Sequence, residues 1–248
     1  MPGRTLPSKM GRLEGAAIVF LAVPDSAVSE LAARLSKAPA AVSFVHLSGA
    51  MGLDALKALR TDHDVGSFHP LQSFPAPRPP GAFRGSTIAV DASSETLMRR
   101  LRILARALGG TPKHVGDADR VRYHAAAVFA SNYFTVVVAE AVRLLESIGW
   151  TRAESTRALL PLIEGAVANI RALGPINALT GPIRRGDVET VSQHLRALEE
   201  LDRADGYRML GTIALEIARE AGLNPVAAER MHRALTQRAA ATQRRRRA

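Results

Sequence analysis

The sequence predicts an α/β domain with a parallel sheet, followed by an all-helical domain. Up to Gly116, short apolar and β-branched runs alternate with segments of helical period, a pattern typical of βαβ units. After Asp117 we find no convincing strand, and the long segments keep helical periodicity. We therefore expect a first domain over residues 1–116 and a helical domain with a basic tail over residues 117–248.

The first domain has five predicted strands. Its opening run, AAIVFLAV (16–23), is continuously apolar, which indicates an inner strand of a parallel sheet with both faces covered. A proline-rich loop, FPAPRPPG, follows the third strand and suits neither a sheet nor a helix. The other strands are expected at 41–48, 65–70, 86–92 and 113–116, with helices at 26–37, 51–60 and 93–110 between them.

The helical half opens with an unusually apolar segment. Residues 123–139 contain no Asp, Glu, Lys or Arg, and a helix that is apolar on all sides is normally buried on all sides. The segment falls short of the ~20 apolar residues of a membrane span. We expect it to be a central core helix packed against a second subunit. The predicted helices are 119–148, 151–173, 187–201, 204–221 and a last one that begins at Asn224-Pro225.

Composition excludes several classes of protein. The 248 residues include no cysteine, so disulfides, cysteine-based metal sites and a thiol nucleophile are excluded. The apolar run at 16–23 is too short for a signal peptide or a spanning helix, so we expect a cytoplasmic protein without membrane contact. The net charge of +10 comes mainly from arginines that are mixed with acidic residues, except in the terminal run 244–247. A nucleic-acid partner is therefore not expected.

A glycine-rich phosphate loop is missing from the chain. A Rossmann-type sheet normally opens with a strand and then G-x-G-x-x-G at a helix start, where backbone N–H groups hold a pyrophosphate. No two glycines here are separated by a single residue. Without preceding strands, the run at 16–23 would be an exposed edge. We expect either that the recorded start omits two βαβ steps, roughly 50–60 residues at ~30 per unit, or that another element covers this edge. The omitted start is the preferred interpretation.

Five ordered motifs resemble a known group of proteins. The segments VFLAVPD (19–25), VHLSGA (45–50), VGSFHPLQSF (65–74), YHAAAVFASNY (123–133) and ALTGPIRRGD (178–187) resemble those of bacterial Rossmann-like oxidoreductases with a C-terminal helical domain of unknown function. That group is related to pyrroline-5-carboxylate reductase, ketopantoate reductase and the 6-phosphogluconate dehydrogenase C-terminal-like proteins. The resemblance runs from about Leu13 to the last helix.

The resemblance implies an NADP or NAD cofactor and a set of residues beside it. Val23, Pro24 and Asp25 would pass the adenosine–ribose side, and Ser48 and Gly49 would lie under the nicotinamide. Neither a ribose-reading residue nor the glycine motif is present, so the choice between NAD and NADP stays open. We expect the chain as written to bind NADPH weakly or not at all.

Three residues are candidates for catalysis. His69 precedes Pro70 at a strand end, facing the crevice where open α/β sheets bind ligands, and could donate a proton as hydride arrives. The alternative is a histidine that caps a turn. His124 and Asn132 are eight residues apart and lie near one helix face, so both could reach one cleft. Asn132 could orient the substrate or the nicotinamide carboxamide, or it could bond between helices.

A second motif suits an anion. In LTGPIRRGD, free N–H groups at a helix start lie beside two arginines, which favours contact with a substrate carboxylate or phosphate. The alternative is a capped loop with solvated arginines. The candidate substrate-binding residues are Thr180, Gly181, Arg184 and Arg185.

No metal site is expected. His46 lies within a strand and is interpreted as a core or crevice histidine with its hydrogen bonds satisfied. With His63 and Asp64 it matches no standard ligand spacing.

Two functions remain open at the level of the sequence. The first is NAD(P)-dependent oxidation or reduction of a small carbonyl or imine substrate between the domains, in a homodimer joined through the helical domain. The second is a non-catalytic dimerising or ligand-binding remnant of the same family. An upstream in-frame G-x-G-x-x-G would support the enzyme, and a stop codon there would support the remnant.

Overall fold

The computed structural model describes Leu13 and residues 15–38, 42–76 and 78–237. The chain forms two compact units, the first ending at Ala141 and the second beginning at Val142. The sequence pattern places its boundary earlier, after Gly116. The terminal arginine run 244–247 lies outside the described residues.

The first unit is built on a five-stranded sheet with its strands in sequence order. The pairs β1–β2, β2–β3 and β4–β5 are parallel, and β3–β4 is antiparallel. The sheet is therefore mostly parallel, as predicted, with one reversal. The strands are β1 (Ile18–Leu21), β2 (Ser43–His46), β3 (Val65–Pro70), β4 (Thr87–Ala92) and β5 (Thr111–His114).

The reversal has a simple cause in the connection between β3 and β4. A parallel return requires a crossover, usually a helix, whereas an antiparallel return does not. Among the described residues of this connection the only helical segment is the 3₁₀ turn Pro80–Phe83, because prolines at 75, 77, 79 and 80 rule out a longer helix. The third strand was predicted with its observed bounds, and the fifth begins two residues earlier than predicted.

Two apolar clusters cover the faces of the sheet. Neighbouring residues of a strand point to opposite faces, so Phe44 packs with α1 (Asp25–Arg34) and a 3₁₀ segment (Leu53–Leu59), whereas Val45 packs with α2 (Glu95–Ala107). The 3₁₀ segment takes the place of the helix predicted at 51–60. β1 is an edge strand of the described sheet, and Phe20 on it is 38% exposed.

The second unit has its core among three helices. Apolar residues of α7 (Val188–Glu200), α8 (Ala204–Glu220) and α9 (Pro225–Thr236) form one buried cluster, to which α6 (Gly181–Arg185) adds Ile183. Asp187 and Asn224, where the sequence predicts these two helices to begin, cap α7 and α9 through their side chains. Before these helices lies α5 (Arg152–Asn177), which is kinked at Gly174.

The long apolar segment is helical but exposed. It comprises α3 (Asp117–Val128), a π-helical turn (Phe129–Tyr133) and α4 (Phe134–Glu146). Phe129 and Val136 are 63% and 56% exposed, so the prediction of burial on all sides is wrong for the single chain. Many apolar side chains of this segment remain exposed in the single chain. Packing of the segment against a second subunit stays a prediction.

Two helical stretches are long and apolar enough to cross a membrane by length and composition. They are Asp117–Glu146 and Arg152–Arg185, with mean hydropathy of 1.5 and 1.3 over their most apolar 18 residues. The core helix of a soluble protein passes the same test when it is mostly buried, whereas 6% and 0% of these two windows are buried in the single chain.

Candidate active site

The candidate site lies at the carboxyl edge of β1, β2 and β3. These strands are parallel, so their C-terminal ends meet at one edge, which is where open α/β sheets bind ligands. Asp25 follows β1, and its carboxylate accepts a hydrogen bond from the Ser48 hydroxyl at 2.7 Å. The Ser48 oxygen accepts in turn from the backbone N–H of Met51 at 3.0 Å. These bonds fix the loops after β1 and β2 to each other.

His69, near the end of β3, forms a pair with Tyr123 of α3. The His69 Nδ1 atom lies 2.8 Å from the Tyr123 hydroxyl oxygen, and the rings meet edge to face at 5.6 Å. The His124 ring lies 6.3 Å from the His69 ring. An imidazole with a phenol hydroxyl at hydrogen-bond distance can hold or pass a proton.

Gly49 provides the space for both histidines. A Cβ atom at this position would lie 2.7 Å from His69 Nε2 and 2.7 Å from His124 Cδ2, closer than van der Waals contact allows. The two rings therefore pack directly on the Gly49 backbone. The structure brings together Asp25, Ser48, Gly49, His69 and His124 of the predicted residues.

The buried side chain of Arg120 connects α3 to β3 and to the loop after β2. Its side chain is fully buried, and its guanidinium donates to the Ser67 hydroxyl of β3 and, at 3.5 Å, to the Ser48 carbonyl. The Nε atom has no hydrogen-bond partner among the described residues. Burying a guanidinium is costly, and the nearby carboxylates of Asp91 and Asp117, together with the contacts to β2 and β3, offset part of that cost.

Burial shifts the titration of these groups. The pKa of His69 falls to about 4 because burial disfavours the charged ring, and the electrostatic effects of His124 and Arg120 act in the same direction. Burial raises the pKa of Tyr123, with a smaller opposing effect of Arg120. At neutral pH both members of the pair are therefore uncharged.

A half-open cavity of about 680 Å³ lies beside the pair. Both histidines of the site face it, and so do residues of the loop after β3 and of the π-helical turn. Asn132 lines this cavity with His124, as their spacing predicted, but it is exposed rather than enclosed in a helical core. Helical turns of the π type are frequent at functional sites.

The predicted anion-binding residues lie in the second unit. Thr180, Gly181, Arg184 and Arg185 line a shallow groove there together with Asn224. The Arg184 guanidinium donates to the Ala221 carbonyl at 2.8 Å, so part of its hydrogen-bonding capacity is already used. Their role in binding a substrate stays a prediction.

Two other histidines of the first unit, His46 and His63, are buried in the fold. His46 is fully buried and donates from Nε2 to the Gly52 carbonyl at 3.2 Å, while Nδ1 has no partner among the described residues. His63 Nδ1 donates to the Val42 carbonyl at 3.0 Å. In the described part of the chain no three His, Asp or Glu residues are placed to hold a metal ion.

Sequence comparison identifies the family. A family model described as a domain of unknown function, DUF2520, matches residues 86–213, more than half of the chain. The chain belongs to the DUF2520 family. No curated protein is detectably similar to it in sequence.

The fold of this DUF2520 chain is shared with several solved structures. A Bacteroides fragilis protein provisionally named an NADP oxidoreductase is 23% identical with a TM-score of 0.67, covering 86% of this chain and 78% of that one. Protein TM1727 of Thermotoga maritima is also 23% identical, with a TM-score of 0.70 over 82% of this chain and 78% of that one. Pyrroline carboxylate reductase of Plasmodium falciparum, solved with NADP bound, is 12% identical with a TM-score of 0.59, covering 95% and 86%. These similarities confirm the predicted Rossmann-like fold with a helical C-terminal region.

Sequence reasoning missed two residues of the site in this DUF2520 chain, Arg120 and Tyr123. The spacing of Arg120 carried a signal, because Asp117, Arg120 and His124 recur at intervals of three and four on one face of α3. Asp117 uses that face to accept a hydrogen bond from the Leu53 N–H at 3.0 Å. A polar stripe at the start of an otherwise apolar helix indicates the face that meets the sheet.

Proposed function

We propose that the chain forms part of a nicotinamide-dependent oxidoreductase that acts on a small carbonyl or imine compound in the cavity beside His69. The shared fold supports this, since two of the similar structures are named for NADP-linked redox chemistry. The observation that carries the proposal is the hydrogen-bonded pair of His69 and Tyr123 at the ligand-binding edge of the sheet.

The pair would handle the proton of the reaction. Reduction of a carbonyl or imine adds hydride to carbon and a proton to oxygen or nitrogen. Tyr123 can give its hydroxyl proton while the neutral His69 ring donates a hydrogen bond from Nδ1 to the phenolate that forms, and solvent then returns the proton to Tyr123. His69 acts here as a neutral imidazole, because its low pKa disfavours the imidazolium at neutral pH. Asn132, on the cavity wall, would orient the substrate by its amide.

The residues present fit a dinucleotide only in part. The loops after β1 and β2, with Asp25 and Ser48, lie at the edge where the resemblance puts the cofactor, but Gly49 is already covered by two histidine rings. A G-x-G-x-x-G cradle for the phosphates is not encoded in the 248 residues. A nicotinamide cofactor, when bound, would supply or accept the hydride. We propose a cytoplasmic homodimer as the setting for this activity.

The test measures consumption of NADPH and NADH with a panel of small aldehydes, ketones and cyclic imines. We expect turnover with at least one member, and a rate reduced about 100-fold or more in Tyr123→Phe, the scale of general acid catalysis. Tyr133→Phe is the matched control, because that tyrosine stacks on Phe129 and is not among the residues lining the cavity.

Two results would contradict the proposal. One is the absence of turnover with either cofactor across the panel, which would favour a non-catalytic dimerising or ligand-binding protein. The other is turnover that Tyr123→Phe and Tyr133→Phe affect equally.

A further inference from the structure

We propose that the cavity beside His69 binds an uncharged polar molecule and discriminates against carboxylates and phosphates. The inference deepens the proposed function, on which it rests for the identity of the substrate site, but it concerns binding alone. Among the described residues that line the cavity, none is Asp, Glu, Lys or Arg. Its polar groups are those of His69, Gln72, Ser73, Tyr123, His124, Ser131 and Asn132.

Arg120, the arginine of the site, does not line the cavity. Arg120 is fully buried, and its guanidinium is directed to the Ser67 hydroxyl and the Ser48 carbonyl. The carboxylate of Asp25 acts on His69 in the opposite direction to Arg120. The exposed Asp25 carboxylate and the buried Arg120 guanidinium therefore oppose each other at the position of the His69 ring. His69 adds no cation either, because its pKa of about 4 keeps it neutral at neutral pH.

The uncharged polar groups of the cavity wall determine which class of ligand binds. A carboxylate or phosphate that enters loses part of its hydration, and without an arginine or lysine it gains no charge-assisted hydrogen bond in return. An amide, ketone, imine or alcohol loses less and can bond to the imidazole, amide and hydroxyl groups. Leu71, Ala127 and Val128 offer apolar contact for its carbon skeleton.

A pair of probes of equal shape tests this. The full-length protein, without cofactor, is titrated with cyclopentanecarboxamide and with cyclopentanecarboxylate, and NMR follows the side-chain amide signals of Gln72 and Asn132. We expect the amide to bind at least about tenfold more tightly, equivalent to about 1.4 kcal/mol. Gln72→Arg places a cation on the exposed rim and should abolish or reverse the preference. Gln193→Arg, on an exposed position of α7, is the matched control and should keep it.

Each other outcome overturns the inference. These are equal binding of the two probes, a preference for the carboxylate, no effect of either probe on the cavity signals, or a preference that Gln72→Arg leaves unchanged. A preference for the carboxylate would instead indicate that this cavity recognises anions. The titration measures binding without cofactor or turnover. Failure of the oxidoreductase proposal would therefore leave the interpretation of these binding results unchanged.

Discussion

At the scale of single residues, the burial of His46 and His69 makes the free energy of unfolding depend on pH. In both, burial is the largest cause that lowers the pKa from 6.5 to about 4. Between these two values the unfolded chain binds more protons than the folded chain. Protonation therefore stabilises the unfolded state, and the free energy of unfolding falls as the pH falls from about 6.5 to about 4.

We expect this loss of stability to be smaller in His69→Gln than in the wild type. The substitution removes one of the two groups that take up a proton on unfolding, and its share is on the order of 1 kcal/mol because the ring is partly hydrated. Urea unfolding at about pH 7 and about pH 5 measures the difference. A difference between the two pH values that is the same in both proteins would contradict the assignment.

His194→Gln is the matched control for that experiment. His194 Nδ1 lies 2.9 Å from the Tyr207 hydroxyl oxygen, so it forms a histidine–tyrosine pair like that of His69, but it is exposed. The His194→Gln variant shows how the loss of a histidine–tyrosine pair changes the free energy of unfolding when the histidine is not buried.

At the scale of elements, α5 contains two glycines in contrasting conformations. Gly174 has φ 73° and ψ 165°, a region open essentially to glycine alone, and it marks the kink before Pro175. Gly165 lies within the same helix, and a Cβ added there meets nothing within 4 Å. The sequence predicted the end of this helix at Leu173, directly before the kink.

We expect opposite effects from alanine at these two positions. Gly174→Ala forces a strained backbone and should lower the free energy of unfolding by about 1–3 kcal/mol. Gly165→Ala should raise it by about 0.5–1 kcal/mol through helix propensity. Thermal and urea unfolding of both variants measure this. A Gly174→Ala variant as stable as Gly165→Ala would show that α5 continues without a kink.

The sequence determined the elements better than their contacts. His69 could be located because a strand of β-branched and aromatic residues ends at a proline, and that signal is local. The antiparallel pairing of β3 and β4 was missed, although the proline-rich connection leaves no room for a crossover helix. Tyr123 was missed because its role depends on the packing of α3 on β3, which a periodicity within one helix does not specify.

At the scale of the whole molecule, the exposed apolar helices need a partner that covers them and removes them from water. Ten large apolar side chains of the π-helical turn, α4 and α5 are each about 40–70% exposed, and large apolar surfaces of this kind mark interaction sites. Glu164 and Arg171 lie within α5, where a bilayer would penalise them. We therefore propose a second copy of this chain as the cover. The ten are Phe129, Tyr133, Phe134, Val136, Val137, Leu160, Leu162, Val167, Ile170 and Leu173.

We expect the protein to sediment as a dimer at micromolar concentration in buffer without detergent. Leu162→Lys places a charge on a side chain that is 70% exposed within this apolar surface, and it should weaken dimerisation at least about tenfold because the ammonium would lose its hydration on burial. Ile103→Lys is the matched control, since Ile103 is 59% exposed on α2, a helix that contributes none of the ten side chains. A monomeric wild type, or a protein that stays in solution only with detergent or lipid, would contradict the dimer, and the second result would favour a membrane as the cover.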